Sequence, residues 1–295
     1  MLFRSINDLQ RATTCPQSAI CESLCLGETS GQNLLYGGVG QFRSGPRLSQ
    51  YLKTEALIVN PEAFTVALIK QIEAFRSAAK ELDYQPAIRL NVTSDFNPKT
   101  FEAIIKMFPD VMFYDYTKLD TTPIAPNHHL TYSSTGATQV VNGEVIENKF
   151  SNWDRMVDKI LPSGRNVAMA FSNRNAIPKF IKDERTGQTF KVWDGDEYDA
   201  RFLDPKQEDG MGWIIGLTNK DNTTKPEDAA KKHNGFFLDY DPKRDGDTLV
   251  IPNQQKTQAG KPVTFTRKPE EKLSLKKVDG RSEEHTSELQ SHSFI

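Results

Sequence analysis

The sequence predicts an α/β protein built from repeated strand–helix units. Short apolar runs of strand length alternate with segments in which apolar residues recur at helical spacing. This alternation favours parallel pairing, because a helix can return the chain across the sheet between two strands. Polar residues follow each apolar run, as they do at the binding face of such sheets. We expect a complete or partial TIM-like barrel, with an open doubly wound parallel sheet as the alternative.

The helices and strands are predicted from their periodicity. Helical spacing covers Pro61–Leu82, and Asn60 before Pro61 is suited to cap that helix. Two further helices are predicted over Pro98–Phe108 and Trp153–Leu161, each with apolar residues on one face. The predicted strands are Ala87–Val92, Val111–Tyr116, His129–Tyr132, Asn166–Phe171, Phe190–Trp193 and Trp213–Leu217.

The chain divides into four regions by composition. Residues 1–45 are polar, irregular and contain every cysteine, and residues 46–238 form the predicted α/β core. Residues 239–280 are charged and rich in proline, which predicts a loosely ordered tail. Residues 281–295 read like the in-frame translation of a sequencing adapter, so we set them aside as an artefact.

Composition argues against several classes of protein. The formal net charge is −2 over 295 residues, so we predict no general basic patch for nucleic acid. No apolar run reaches the length of a membrane span, and no secretion signal is recognisable. Clustered cysteines are unlike the even, scattered set of a secreted disulfide scaffold. These features predict a protein of the reducing cytoplasm of a bacterial host, without a membrane partner.

The three cysteines, Cys15, Cys21 and Cys25, fall within eleven residues. Thiolates are soft ligands for iron and zinc, and three protein ligands leave one coordination position of the metal open. An iron–sulfur site is one interpretation of this cluster. Free thiols in a metal-free α/β protein are another.

Structural zinc is the remaining interpretation of the cysteines. A tetrahedral site needs a fourth ligand, for which the candidates are His128, His129 and Asp95. Adjacent residues of a strand point to opposite faces, so His128 and His129 cannot both line one site.

Polar residues at the ends of the predicted strands are the candidates for a ligand site. Hydroxyls, amides and charges at these positions can orient a polar ligand, although polar loops also supply helix caps. The binding candidates are Asn91, Thr93, Ser94, Asp95 and Ser133, and the catalytic candidates are Asp115 and Lys118.

Four aspartates also lie close together in the sequence: Asp194, Asp196, Asp199 and Asp204. Their oxygens suit a hard cation such as magnesium, but their spacing does not match the twelve-residue calcium loop. Solvated turns or ion pairs to Arg201 are the favoured interpretation.

Seven segments of the chain form a recognisable set of motifs: Arg89–Asp95, Phe108–Lys118, His129–Ser133, Asn166–Ala168, Asp194–Asp196, Arg201–Pro205 and Gly216–Leu217. Together they resemble a family of uncharacterised bacteriophage and prophage proteins. The resemblance spans roughly residues 15–237 and implies a phage-type protein without fixing its reaction.

The cysteine motif ahead of the βα units also looks like that of radical S-adenosylmethionine enzymes. Those enzymes hold a 4Fe-4S cluster on three cysteines, and the methionine part of the cofactor occupies the open iron. The resemblance implies a cluster on the three cysteines, with S-adenosylmethionine beside Thr93–Asp95. The substrate would be an unknown small molecule, nucleotide or macromolecule. The cysteines here are separated by five and three residues, instead of the usual three and two.

Overall fold

The computed structural model describes Cys15, Gln17 and residues 45–92, 94–220 and 225–254. Its strands are β1 (Ala87–Ile88), β2 (Met112–Thr117), β3 (His128–Ser133), β4 (Gln139–Val141), β5 (Glu144–Ile146), β6 (Val167–Phe171), β7 (Phe180–Asp183), β8 (Thr189–Asp194), β9 (Ile214–Thr218) and β10 (Thr248–Ile251).

The α-helices are α1 (Gly45–Val59), α2 (Pro61–Glu81), α3 (Glu102–Met107), α4 (Trp153–Arg155), α5 (Pro226–Lys232) and α6 (Pro242–Asp245). Helix α4 continues as a π-helical turn over Met156–Ile160 and a 3-10 turn over Leu161–Ser163. Other 3-10 turns cover Pro98–Phe101, Arg174–Ala176 and Arg201–Leu203. No helix among the described residues combines the length and apolar character that crossing a membrane would require.

Eight of the strands form one sheet in the order β1-β2-β3-β6-β9-β8-β7-β10. Neighbouring strands are parallel throughout except at β7 and β8, which are antiparallel. Strands β4 and β5 form a separate antiparallel hairpin. The α/β class with a mostly parallel sheet is therefore confirmed.

No closed barrel is found in the described part of the chain. Strands β1 and β10 lie at opposite ends of the sheet, and neither pairs with the other. Only ten residues connect β2 to β3, and this connection contains no helix. A full barrel surrounds its strands with a helix after each one, and a connection this short leaves no room for it.

The sheet has two differently covered faces. Phe113 of β2 lies on the face that packs against α2 and α3, where it joins Ile72, Ile104 and Ile105 in one buried cluster. We call this the helix-covered face. Tyr114 points the other way and meets Phe202, with ring centroids 5.4 Å apart. We call this second side the loop-covered face, because Asp199 and Phe202 of the loop between β8 and β9 contact it.

Helix α2 confirms the predicted helix and its cap. The side chain of Asn60 accepts a hydrogen bond from the backbone N–H of Ala63 at 3.1 Å. Pro61 follows at the first helical position, where its missing N–H costs no intrahelical hydrogen bond.

The first predicted strand is shorter than expected. Strand β1 covers only Ala87–Ile88, whereas the sequence predicts Ala87–Val92. The backbone N–H of Asn91 donates to the side chain of Asp115 at 2.7 Å. This amide is satisfied by a carboxylate and does not continue the backbone ladder, so the chain leaves the sheet early.

The predicted loose tail begins too early, because it contains a buried strand. Strand β10 pairs with β7, and its Leu249 and Ile251 are 4% and 0% exposed in the main core. Burial of this alternating pair outweighs the polar composition of the surrounding residues. The remainder of the predicted tail beyond Gln254, and the adapter-like residues 281–295, lie outside the described residues.

We predict that Gly136→Ala destabilises the fold by on the order of 3 kcal/mol. Gly136 has φ +87°, and an added Cβ would overlap the carbonyl oxygen of Gly235 and lie 2.6 Å from Cα of Phe236. Gly143→Ala is the matched control, because Gly143 has φ +79° with no atom near the added Cβ. Urea unfolding should show a cost near 1 kcal/mol for the control, from backbone strain alone. Equal costs at the two positions would contradict the packing argument.

Candidate functional site

The carboxyl ends of β1, β2, β3, β6, β9 and β8 meet along one edge of the sheet, because these neighbours are all parallel. We call it the carboxyl edge. The polar segments predicted from the sequence follow these strands. Ligands of open α/β sheets bind beyond such an edge, so it is the first place to look for a site.

Several of the predicted residues come together at the ends of β1 and β2. The hydroxyl of Thr117 donates to Asp95 at 2.7 Å, and the backbone N–H of Lys118 donates to the other oxygen of Asp95 at 2.9 Å. The backbone N–H of Asn91 donates a hydrogen bond to the carboxylate of Asp115 at 2.7 Å. The structure thus forms two hydrogen-bonded pairs of predicted residues at the ends of these strands, Asn91 with Asp115 and Asp95 with Lys118.

The loop after β1 is held by its own side chains. Ser94 donates its hydroxyl proton to the side-chain oxygen of Asn91 at 2.9 Å, and the N–H of Phe96 donates to the same oxygen at 3.2 Å. The side-chain oxygens of Asn91 and Asp95 therefore already have partners, and both residues shape the edge. Thr93, the remaining predicted residue of this loop, lies outside the described residues.

Of the two aspartates at this edge, Asp115 has the pKa that is shifted further from its ordinary value. It is 4% exposed, and burial raises its pKa to about 7, against the opposing effects of the Asn91 amide and the Arg89 charge. Burial also raises the pKa of Asp95, although hydrogen bonds from Thr117 and Lys118 lower it in part. A carboxyl group that titrates near neutrality is suited to accept and return protons.

Ser133 lies at the same edge, one strand further along. It ends β3 and is in register with Ala168 of β6. Its backbone carbonyl accepts a hydrogen bond from the side chain of Asn152 at 3.1 Å. It therefore lies at the carboxyl edge next to the end of β2.

The cysteine cluster falls mostly outside the described residues. Cys15 is half-buried, and Cys21 and Cys25 belong to the residues that the structure does not describe. Among the described residues, no group of three or more histidine, cysteine or acidic side chains is arranged to hold a metal ion.

The four clustered aspartates do not converge on a cation. Each forms an ion pair with a different basic residue, so the magnesium interpretation is wrong for the described structure and the ion-pair interpretation fits. Arg201, however, pairs only with Asp204 of this set. The pairs are Arg174–Asp194 at 2.7 Å, Lys220–Asp196 at 3.0 Å, Arg89–Asp199 at 2.8 Å and Arg201–Asp204 at 3.5 Å.

His128 and His129 lie on opposite faces of β3, as predicted. His128 is in register with Phe113 on the helix-covered face, and His129 with Tyr114 on the loop-covered face. Nδ1 of His128 accepts a hydrogen bond from the N–H of Ile124 at 3.1 Å. Burial lowers the pKa of both histidines to about 4, so both are neutral at pH 7.

Sequence reasoning missed two arginines beside the loop-covered face, Arg89 and Arg201. Arg201 is 1% exposed, and the charges of Arg165 and Arg201 both act on His129. Arg89 lies over the ring of Tyr116, 4.9 Å from its centroid. The alternation of Tyr114 and Tyr116 with buried residues of β2 marks this second face in the sequence, but nothing local indicates that distant arginines reach it.

The fold and its edge define an α/β protein with a mostly parallel sheet and a polar, partly ionisable carboxyl edge. The model of a family described as "Gene product 88" matches residues 3–237, which include both the cysteine segment and most of the sheet. The chain therefore belongs to the gene product 88 family, in agreement with the phage-type protein that its motifs predict. No curated protein and no solved structure matches this chain.

Proposed function

We propose that this protein is an iron–sulfur enzyme of the radical S-adenosylmethionine type, with its reaction at the carboxyl edge of a partial barrel. The observation that carries the proposal is Asp115, a buried carboxyl group with a pKa of about 7 beside the loop expected to contact the cofactor. A cluster bound by Cys15, Cys21 and Cys25 would supply one electron to the sulfonium of S-adenosylmethionine.

The three cysteine thiolates are suitable ligands for an iron–sulfur cluster. Three thiolates provide three soft ligands for a cluster and leave one iron for the cofactor. The family model spans residues 3–237, which include the three cysteines and strands β1 to β9. The parallel strands supply a polar edge on which a cofactor and a substrate can lie next to each other.

Asp115 would act as the acid–base group of this site. Near pH 7 both its protonated and its ionised forms are populated, so it can release or take up a proton without a large energetic cost. Lys118 would hold an anionic part of the substrate, because its backbone is fixed by Asp95 at the end of β2. Ser133 would contribute a hydroxyl from the neighbouring strand.

We predict that the full chain, purified without oxygen, contains about four iron and four sulfide per chain and is brown. Each single Cys→Ser variant of Cys15, Cys21 and Cys25 should lose most of this iron, because one thiolate ligand is removed. The unchanged chain treated in parallel is the control for reconstitution, and circular dichroism checks that each variant is folded.

Other outcomes would replace the proposal. A colourless protein without iron after reconstitution contradicts it. Stoichiometric zinc that survives dialysis and raises the melting temperature would favour a zinc-stabilised phage accessory protein. Complete labelling of all three thiols in the native, metal-free protein would favour an accessory or binding protein without catalysis.

A further inference from the structure

The β4–β5 hairpin turns on an asparagine followed by a glycine. Asn142 and Gly143 are its two central residues, with φ +52° and +79°, and positive φ at both positions is the pattern of a type I′ turn. Both residues are exposed. An asparagine side chain lies near the backbone nitrogen of the next residue, and a glycine there places no Cβ in the way. The turn therefore meets the steric requirement for a reaction between its own side chain and backbone.

The reaction is the loss of ammonia from Asn142. The backbone nitrogen of Gly143 attacks Cγ of Asn142, and the bond from Cγ to the side-chain nitrogen breaks. The proton of the attacking N–H passes through solvent to the leaving nitrogen, which departs as ammonia and leaves a five-membered succinimide ring. Water then opens this ring at one of its two carbonyl carbons. Opening at Cγ gives aspartate at position 142, and opening at the backbone carbonyl carbon gives isoaspartate.

Arg244 is placed to promote this reaction. Its Nη1 donates a hydrogen bond to the side-chain oxygen of Asn142 at 3.2 Å. Negative charge develops on that oxygen as the nitrogen of Gly143 attacks, and a cationic donor stabilises the charged form more than the neutral amide. Two further nitrogens of Arg244, Nε and Nη2, donate to Asp245 at 2.8 and 2.7 Å. The guanidinium group is thus held in place while one nitrogen contacts the turn.

A second asparagine–glycine pair, Asn234–Gly235, has different surroundings. Gly235 is buried, and its N–H donates to the carbonyl of Ala230 at 2.9 Å. A Cβ built on Gly235 would lie 2.6 Å from the carbonyl oxygen of Ala137, so this glycine is closely packed. Attack by its nitrogen requires that the segment first opens and releases this hydrogen bond. The fold therefore distinguishes two pairs that are alike in sequence.

We propose that Asn142 is a site of spontaneous deamidation in the folded protein, promoted by Arg244, and that Asn234 is protected. The new carboxylate lies beside Arg244 and adds negative charge to the surface groove that Asn142 and Gly143 line. The isoaspartyl product lengthens the backbone of a two-residue turn, and the length of this turn fixes the register of β4 and β5. We therefore expect isoaspartate to loosen the hairpin. The site does not depend on the proposed iron–sulfur chemistry.

The test follows deamidation of the full chain, incubated near neutral pH and sampled over time. Mass spectrometry of tryptic peptides measures the conversion at each asparagine, and labelling by isoaspartyl methyltransferase identifies the isoaspartate product. We expect Asn142 to react at least about tenfold faster than Asn234 in the native state, because only Asn234 requires local opening. The chain unfolded in guanidinium chloride is the control for sequence, and both asparagines should react there at similar rates.

Arg244→Gln should slow the reaction at Asn142 about two- to fivefold, the range expected for loss of an exposed charged contact. Arg76→Gln is the matched control, because Arg76 is an exposed arginine of α2 paired with Asp110, and it should leave the rate unchanged. Equal rates at the two asparagines of the native chain overturn the proposal, as does an Asn142 that reacts only after unfolding. An unchanged rate in Arg244→Gln overturns the role of Arg244.

Discussion

Trp153→Ala is expected to lower the free energy of unfolding by about 3–5 kcal/mol. Trp153 is fully buried at the start of α4, in the main core beneath the sheet, and its ring meets Phe190 edge to face with centroids 6.3 Å apart. Truncation leaves a cavity that the surrounding strands cannot fill, because each is fixed by its neighbours in the sheet. Urea unfolding followed by circular dichroism measures the effect.

Trp153→Phe distinguishes the cost of the cavity from the cost of losing the indole hydrogen bond, because phenylalanine keeps an aromatic ring but has no N–H. The indole N–H of Trp153 donates to Asp183 at 2.9 Å, and Asp183 is 1% exposed. Asp183 keeps its bonds from Thr186, so loss of the indole donor should cost about 1–2 kcal/mol, well below the alanine variant. Equal costs for the two variants would contradict a packing role for the ring.

Asp115→Asn is expected to make the protein more stable than the unchanged chain at pH 8 but not at pH 4. The pKa of Asp115 is raised by burial from 3.8 to about 7, so the folded state holds its proton where the unfolded state has lost it. In the unchanged chain, protonated Asp115 therefore makes its full contribution to the free energy of unfolding below pH 4. This contribution is lost as the pH rises towards and through 7. The total change is on the order of a few kcal/mol.

The asparagine variant has no proton to lose, and its side-chain oxygen can still accept from the amide of Asn91. Asp110→Asn is the control, because Asp110 is an exposed carboxylate paired with Arg76. Urea unfolding at several pH values between 4 and 8 measures the difference between variant and unchanged chain. A difference that does not change with pH would show that Asp115 ionises normally. If the proposed enzyme is correct, the same variant also loses acid–base catalysis.

Most elements of the sheet could be predicted from the sequence. Strand β2 reads Met-Phe-Tyr-Asp-Tyr-Thr, and its alternation of half-buried and buried residues is the pattern of a strand between two covered faces. The polar ends of these strands were also predictable, because parallel strands place their carboxyl ends at one edge. Strand β10 was missed since Leu249 and Ile251 stand among charged residues, and only pairing with β7 orders them.

The candidate site was predicted in part for the same reason. Lys118 follows β2 directly and Asp95 lies in the loop after β1, so their meeting at the carboxyl edge follows from the parallel pairing of these strands. The ion-pair partners of the arginines could not be predicted from the sequence. Arg89 reaches Asp199 across 110 positions of sequence, and such a pairing depends on how residues 195–213 cross the sheet.

The sequence by itself determined the α/β class, the membership in a phage-type family and the clustering of three cysteines, because these depend on local periodicity and residue identity. The tertiary structure decided three further properties. It left the sheet open at β1 and β10, it raised the pKa of Asp115 by burying it, and it brought Arg89 to Asp199. Each of these arises from the packing of segments that are distant in sequence, and local residue patterns carry no information about such distances.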